Sequence, residues 1–269
     1  MAVDRSRYLD KAECEAMMNA AELRSMKDLE RGRVAGVLAW MIVDAAIQTG
    51  LRVSELAALK VEDIDLRQGS LSVLRMKKRR RRKSKAGPKQ IAVHNAVAKP
   101  VRETLAIDPE LAGHLKQFIQ WRADRIANMN AVADLNCESE DKDRQAQGQE
   151  QKERLQGLTD TIGTLFVGQR GPLGVQGLQQ AWNTVAEKVG ITRINHKGKK
   201  VPKSIHTARH TMAVHLLRQT KNLYQVQRQL GHVSPATTAN FYSDISFEDM
   251  QAGVTGLFNR KKDEKRKKR

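Results

Sequence analysis

The chain has 269 residues, 40% of them hydrophobic, enough to bury a core as one large domain or two small ones. Its 48 Lys and Arg outnumber 30 Asp and Glu, and the formal net charge of +18 points to a polyanionic partner whose condensed counterions are released on binding. Two cysteines, Cys14 and Cys137, exclude a disulfide framework, and the most apolar run, Leu38 to Ile47, is interrupted by Asp44 and too short to span a bilayer, so no membrane partner is expected.

Residues 10–29 carry helix formers with spaced apolar positions, and 33–48 predict a strongly apolar helix that Gly50 ends in a left-handed conformation. Ser54 is placed to cap the next helix, with Glu55 in its first turn and Lys60 near its end. Asp63 to Leu66 turn into Gly69. GSLSVLRM at 69–76 alternates as a strand, and QIAV at 90–93 is its expected partner. Between them KKRRRRKSKAGPK ends in a Gly-Pro turn signal, which predicts a β-hairpin with a very basic tip.

Residues 109–126 read as a helix. From Asn128 to Asp160 the composition turns to Glu, Asp, Gln and Lys, which admits either an exposed helical hairpin or a disordered insertion. Structure is expected to resume at TLFVG (164–168), with helices at 175–189, 206–219 and 222–230. Ser234 followed by Pro235 is a helix start, and an amphipathic stretch runs from Phe247 to Phe258. The end, NRKKDEKRKKR, is a block of charge, and no repeat of 20–50 residues occurs. The expected fold is mainly α with a small antiparallel β-sheet (α+β), one domain over 1–258 and a basic tail over 259–269.

Six residues are spread along this pattern in distinctive surroundings: Arg52 in TGLRVSEL, Lys77 at the start of the basic tip, His206 and Arg209 in HTARHTMA, and His232 and Tyr242 in QLGHVSPATTANFY. Together they describe a pocket for one phosphodiester. Two guanidiniums hold the phosphate, imidazoles hydrogen-bond it, an ammonium donates a proton and a phenol attacks. Plainer readings exist for each. Arg52 alone could pair with Glu55 or cap a helix, and 222–242 resembles a helix-turn-helix, which leaves Arg52 and Lys77 unexplained. His206 and His210 have i, i+4 spacing suited to zinc, but residue 207 is Thr rather than Glu and no third ligand is evident, so neither metal nor other cofactor is expected.

These motifs, in this order, resemble the catalytic domain of the tyrosine recombinases, the phage-integrase type, over roughly residues 9–258. TGLRVSEL matches the family's first arginine at Arg52 and the acidic residue at Glu55. HTARHTMA matches its His-x-x-Arg at His206 and Arg209, with His210 following, and LGH matches its second histidine at His232. Tyr242 lies ten residues on, where many members place the tyrosine nine residues on, at Phe241 here. Aligning Gly69 with the glycine that opens the hairpin puts the family's lysine at Lys77, with Lys78 the competitor after a one-residue slip. Ala208 replaces a usual leucine, and Asp244 a frequent histidine.

The resemblance implies a mobile-element integrase or site-specific recombinase, acting on double-stranded DNA through a 3′-phosphotyrosine without metal or ATP. Arg52, Arg209 and His232 would hold the phosphate and offset its charge. Tyr242 would attack, with His206 as base, and Lys77 would protonate the leaving 5′ oxygen. Glu55 would orient a neighbour, either Lys77 or an active-site arginine, and His210 would support the pocket from behind. Lys78, Arg79, Arg80, Arg81, Arg82, Lys83 and Lys85 would follow the DNA beside the cut.

The family works as a tetramer on paired sites, often passing its last helix to a neighbour. Most members also carry an N-terminal helical domain that completes a clamp around DNA. The chain begins almost at the catalytic portion, so an accessory DNA-binding protein is a possible partner. A cytoplasmic, nucleoid-associated location is expected. The rival readings are a type IB topoisomerase, which reseals the same strand, and a non-catalytic DNA-binding regulator.

Overall fold

A computed structural model describes residues 7–76, 100–159, 163–169 and 171–231. Helix α1 (Lys11–Glu30) starts at a reciprocal cap: the Asp10 carboxylate accepts the Glu13 N–H at 2.8 Å, and the Glu13 carboxylate accepts the Asp10 N–H at 3.0 Å. It packs on α2 (Ala35–Thr49), which is buried along almost its whole length. Gly50 ends α2 with φ 64°, and a Cβ there would lie 2.8 Å from both Met212 and Leu230, so its backbone conformation and its packing both require glycine.

The short helix α3 (Val53–Ala57) follows directly. Its N-cap is Arg52, not Ser54, which lies inside the helix, and Lys60 falls beyond its end. The reason is Glu55: from the third helical position its carboxylate reaches back to accept the Arg52 backbone N–H at 2.9 Å. A 3-10 turn (Val61–Asp63) leads into β1 (Ile64–Asp65), then β2 (Ser70–Met76). The partner of β2 is β3 (Pro100–Ala106), antiparallel in register from Ser70↔Ala106 to Met76↔Pro100, not the QIAV segment at 90–93. All seven β2 residues are paired with β3, so the connection between the strands runs from 77 to 99, outside the described residues together with QIAV and the basic tip.

Helix α4 (Pro109–Cys137) and α5 (Lys142–Thr159) fill the charged stretch, so the helical-hairpin alternative holds there. Asp108 caps α4 and Pro109 occupies its first turn. The core lies among α1, α2, α3, α4, the β2–β3 pair and α6 (Val175–Lys188), with Phe118, Phe166 and Trp182 fully buried. Trp182 Nε1 donates to the Lys203 carbonyl at 2.8 Å, so the indole is buried without stranding its donor.

A small hairpin, β4 (Thr192–Ile194) with β5 (Lys200–Pro202), was not anticipated. Its turn is built by Asn195, whose side-chain oxygen accepts the N–H groups of Lys197 and Lys199 at 2.9 Å. Helices α7 (His206–Thr220) and α8 (Leu223–Leu230) enclose a second apolar cluster of Ala213, Leu217, Val226 and Leu230. The start of the chain is fastened to α7: the Leu9 N–H donates to Thr211 Oγ1 at 2.8 Å, and His215 Nε2 lies 3.0 Å from the Leu9 carbonyl. Lys203 Nζ adds bonds to the Tyr8 carbonyl at 3.1 Å and to Glu13 at 2.9 Å. Among the described residues no helix is long and apolar enough to cross a membrane.

Candidate active site

Two helices, α3 and α7, and one strand, β2, meet at a single carboxylate. Glu55, buried on α3, receives Arg52 Nη1 at 2.5 Å. Arg75 Nε of β2 lies 3.6 Å from the same carboxylate, and Arg209 Nη1 of α7 lies 3.9 Å from it. Glu55 therefore faces three guanidiniums, those of Arg52, Arg75 and Arg209. Arg52 is the accessible member, with its side chain 41% exposed, whereas the side chains of Arg75 and Arg209 are 4% and 5% exposed.

Arg209 is placed by backbone carbonyls. Its Nη1 donates to Gly50 O at 2.9 Å and its Nη2 donates to Leu230 O, so one guanidinium joins the C-terminal ends of α2 and α8. Those ends carry the partial negative charge of their helices, which suits a cation. A guanidinium has five N–H groups, and these two bonds leave others for an anion. Burial, then the Arg52 charge, push the Arg209 pKa down to about 10; Glu55 acts in the opposite direction and Arg75 adds to the fall. It remains a cation at neutral pH.

His206 opens α7 three residues before Arg209. Its pKa is lowered from its ordinary value of 6.5 by burial, then by the guanidiniums of Arg209 and Arg52, so the ring is neutral at pH 7 and can accept a proton. His210, one turn on, sets its ring edge against His206 with centroids 5.6 Å apart. Among the described residues no three His, Cys, Asp or Glu gather as metal ligands.

The structure thus unites Arg52, Glu55, His206, Arg209 and His210. Lys77, His232 and Tyr242 lie outside the described residues, as do Lys78, Arg79, Arg80, Arg81, Arg82, Lys83 and Lys85. The described chain reaches the residues immediately before two of them, Met76 and Gly231.

Arg75 was missed by sequence reasoning, although a signal existed. In β2 the inward positions are Leu71, Val73 and Arg75, at 1%, 2% and 4% exposure, while Leu74 points outward at 55%. An arginine in the inward phase of an alternating strand announces a buried, paired charge. Its partners are Glu103 on β3 at 2.7 Å and the Gln229 carbonyl of α8 at 3.0 Å, in addition to Glu55.

A family model, that of the phage integrase family, matches residues 7–249. Among solved structures the fold is similar to XerA recombinase, at TM-score 0.53 and 21% identity over 92% of this chain and 62% of that one. It is also similar to the XerH site-specific recombinase bound to difH substrate in a pre-cleavage complex, at 0.53 and 17% over 94% and 53%. A third similar structure is the Tn1549 transposon integrase in complex with circular intermediate DNA, at 0.53 and 15% over 94% and 66%. The chain spans about half to two thirds of the length of these structures. No curated protein matches it in sequence.

Proposed function

Because the chain belongs to the phage integrase family, we propose that it is a site-specific DNA recombinase that cuts and rejoins duplex DNA through a 3′-phosphotyrosine. The observation that carries this reading is the gathering of Arg52 and Arg209 around Glu55, beside an imidazole whose pKa is lowered by burial and then by the same guanidiniums. A phosphodiester resists attack because its charge repels nucleophiles and its alkoxide is a poor leaving group. Two cations aimed at the non-bridging oxygens offset the charge that grows in the pentavalent transition state. Arg52, the exposed member, makes the first contact with DNA; Arg209 acts from the pocket floor.

Tyr242 supplies the nucleophile. A phenol with a pKa of about 10 is protonated at neutral pH, so a base must take its proton, and neutral His206 fits that role. The bond from phosphorus to the tyrosine oxygen forms as the bond to the 5′ oxygen breaks, and Lys77 protonates that oxygen. His232 adds a hydrogen bond to the phosphate. The 5′-hydroxyl of another strand reverses the step and restores a phosphodiester, so neither ATP nor metal is consumed.

Duplex DNA as partner is supported by the DNA complexes of the XerH and Tn1549 proteins. The basic run from Lys78 to Lys85 follows the backbone beside the cut. The active assembly is a homotetramer on paired sites, working where the DNA is, with a further DNA-binding module or partner protein contributing to site choice.

The test is covalent capture. A pool of random-sequence duplexes, each with a nick that lets the freed 5′ fragment diffuse away, is incubated with the protein, and SDS-resistant adducts are recovered and sequenced. The wild type should yield adducts enriched in one sequence, and Tyr242→Phe should yield none. Adducts that persist in Tyr242→Phe would move the nucleophile elsewhere. Binding without any adduct would leave a DNA-binding regulator. Relaxation of supercoils with no strand exchange would assign the resealing chemistry of a topoisomerase.

A further inference from the structure

We propose that the β4–β5 hairpin is a second DNA-contacting arm, in which Arg193, Lys197, Lys199 and Lys200 hold backbone phosphates within one helical turn of the linkage gripped by Arg52 and Arg209. This rests on the recombinase reading and gives its substrate a further surface. No Asp or Glu occurs from Lys188 through Ser243, so nothing along this stretch of sequence offsets these charges. All four residues are exposed, and among the described residues none of them is ion-paired with a carboxylate. Lys203, just past the hairpin, is by contrast buried and paired with Glu13 at 2.9 Å. One cation thus fastens the hairpin while four face outward.

The hairpin is held at both ends. At its base the Lys203 N–H donates to the Ile191 carbonyl at 3.1 Å, and Trp182 Nε1 donates to the Lys203 carbonyl at 2.8 Å. At its tip, Asn195 donates its own N–H to the Lys199 carbonyl at 2.9 Å, and Gly198, with φ 69°, donates to the Asn195 carbonyl at 3.0 Å. A turn already fixed in this way loses little freedom on binding.

The register spreads the charge around the ribbon. Arg193 pairs with Val201 and Ile194 with Lys200, so Arg193 and Lys200 project from opposite faces, with Lys197 and Lys199 in the turn between the strands. A ribbon that is cationic on both faces suits a groove walled by phosphates on both sides, and the major groove, about 12 Å wide, admits a two-stranded ribbon. Reach is bounded by the chain. Lys197 lies nine residues before His206, a span of at most about 32 Å, less than the roughly 34 Å of one duplex turn. A surface made only for solubility would intersperse charges of both signs. Like charges crowded on a short hairpin repel one another, and a polyanion relieves that repulsion.

The experiment titrates the full chain with a random-sequence duplex by fluorescence anisotropy over about 50 to 200 mM KCl, where the slope of log K against log salt is about −0.9 per phosphate contact. The combined variant Arg193→Gln, Lys197→Gln, Lys199→Gln, Lys200→Gln should flatten the slope by about 3.6. A control with the same loss of net charge at exposed positions elsewhere, Lys27→Gln, Lys116→Gln, Lys142→Gln, Arg144→Gln, should change it by less than about 1. Equal flattening in both variants would mean a diffuse charge effect and overturn the proposal, as would an unmoved slope in the hairpin variant. Should the hairpin variant fail to fold, Lys199→Gln and Lys200→Gln decide singly, each expected to flatten the slope by about 0.9; no change in either would also overturn the role. A duplex RNA of the same length bound more tightly than DNA, with the variant's loss confined to it, would assign the arm to RNA and reject DNA.

Position is read by ethylation interference on the sequence recovered by covalent capture. Phosphates whose ethylation weakens binding of the wild type but not of the hairpin variant should lie on both strands within one turn of the cut. Their absence from that window would overturn the proposal. A wild type that forms no adduct would sink the recombinase reading, while the salt slope would still decide whether the hairpin holds DNA.

Discussion

Replacing Glu55 with Gln tests the electrostatic centre of the site. The change keeps the shape of the side chain and its ability to accept the Arg52 N–H, but removes the anion that faces three guanidiniums. Arg52 contributes little to the loss of stability, because its side chain is 41% exposed and solvent replaces the partner. Arg75 and Arg209 are buried, and breaking a buried ion pair by removing one partner costs about 3–5 kcal/mol.

Both keep other partners: Glu103 and the Gln229 carbonyl for Arg75, the Gly50 and Leu230 carbonyls for Arg209. Their distances to Glu55, 3.6 and 3.9 Å, are also longer than a hydrogen bond. The expected loss is thus at the lower end, about 3 kcal/mol, or roughly 6–12 °C in Tm for a chain of this size. Thermal and urea unfolding followed by circular dichroism measure it. Because the pairs are buried, 1 M NaCl should leave most of the difference in place. A loss below about 1 kcal/mol, or one that salt abolishes, would show that Glu55 acts as a surface partner and that the carbonyls alone hold the two buried arginines.

His206, lowered first by burial and then by Arg209 and Arg52, should titrate below 6.5 when its ring protons are followed by NMR, and Arg52→Gln should raise the midpoint; an unmoved midpoint would remove the Arg52 charge as a cause. The unfolded chain protonates first as pH falls, so this residue's contribution to stability is present above about 6.5 and declines from there through the folded pKa. Gly231→Ala should destabilise more than Gly32→Ala. Both have φ above +60°, but nothing lies within 4 Å of a Cβ at Gly32, whereas Arg75 occupies that space at Gly231. The excess should be about 1–3 kcal/mol, the range for overpacking, and equal losses by urea unfolding would refute the close approach.

Much of the fold follows from local pattern. The apolar run before Gly50 is α2, and the Ser-Val-Leu alternation after Gly69 is β2, because these signals depend on a residue's own neighbours. The partner of β2 was misassigned because QIAV looks like a strand alone, while Pro100–Ala106 carries Arg102, Glu103 and Thr104 and has one fully buried apolar residue, Leu105. Its strand character comes from pairing with β2, and pairing over a long connection leaves no local trace. The α4–α5 stretch had the same composition whether folded or not, and only the contact between the two helices distinguishes the alternatives. At the site, Arg52, His206 and Arg209 were legible from their motifs, whereas Arg75 was hidden among apolar neighbours and read as part of the alternation. Its role depends on Glu103 and Gln229, which lie 28 and 154 residues away.

The fastening of Tyr8 and Leu9 to Lys203, Thr211 and His215 has a mechanical corollary. The first described turns of the polypeptide are braced against the very helix that bears Arg209. Any module joined ahead of residue 7 would inherit that helix as its reference frame, so its grip on DNA would be transmitted as leverage on the arginine rather than dissipated in a slack tether.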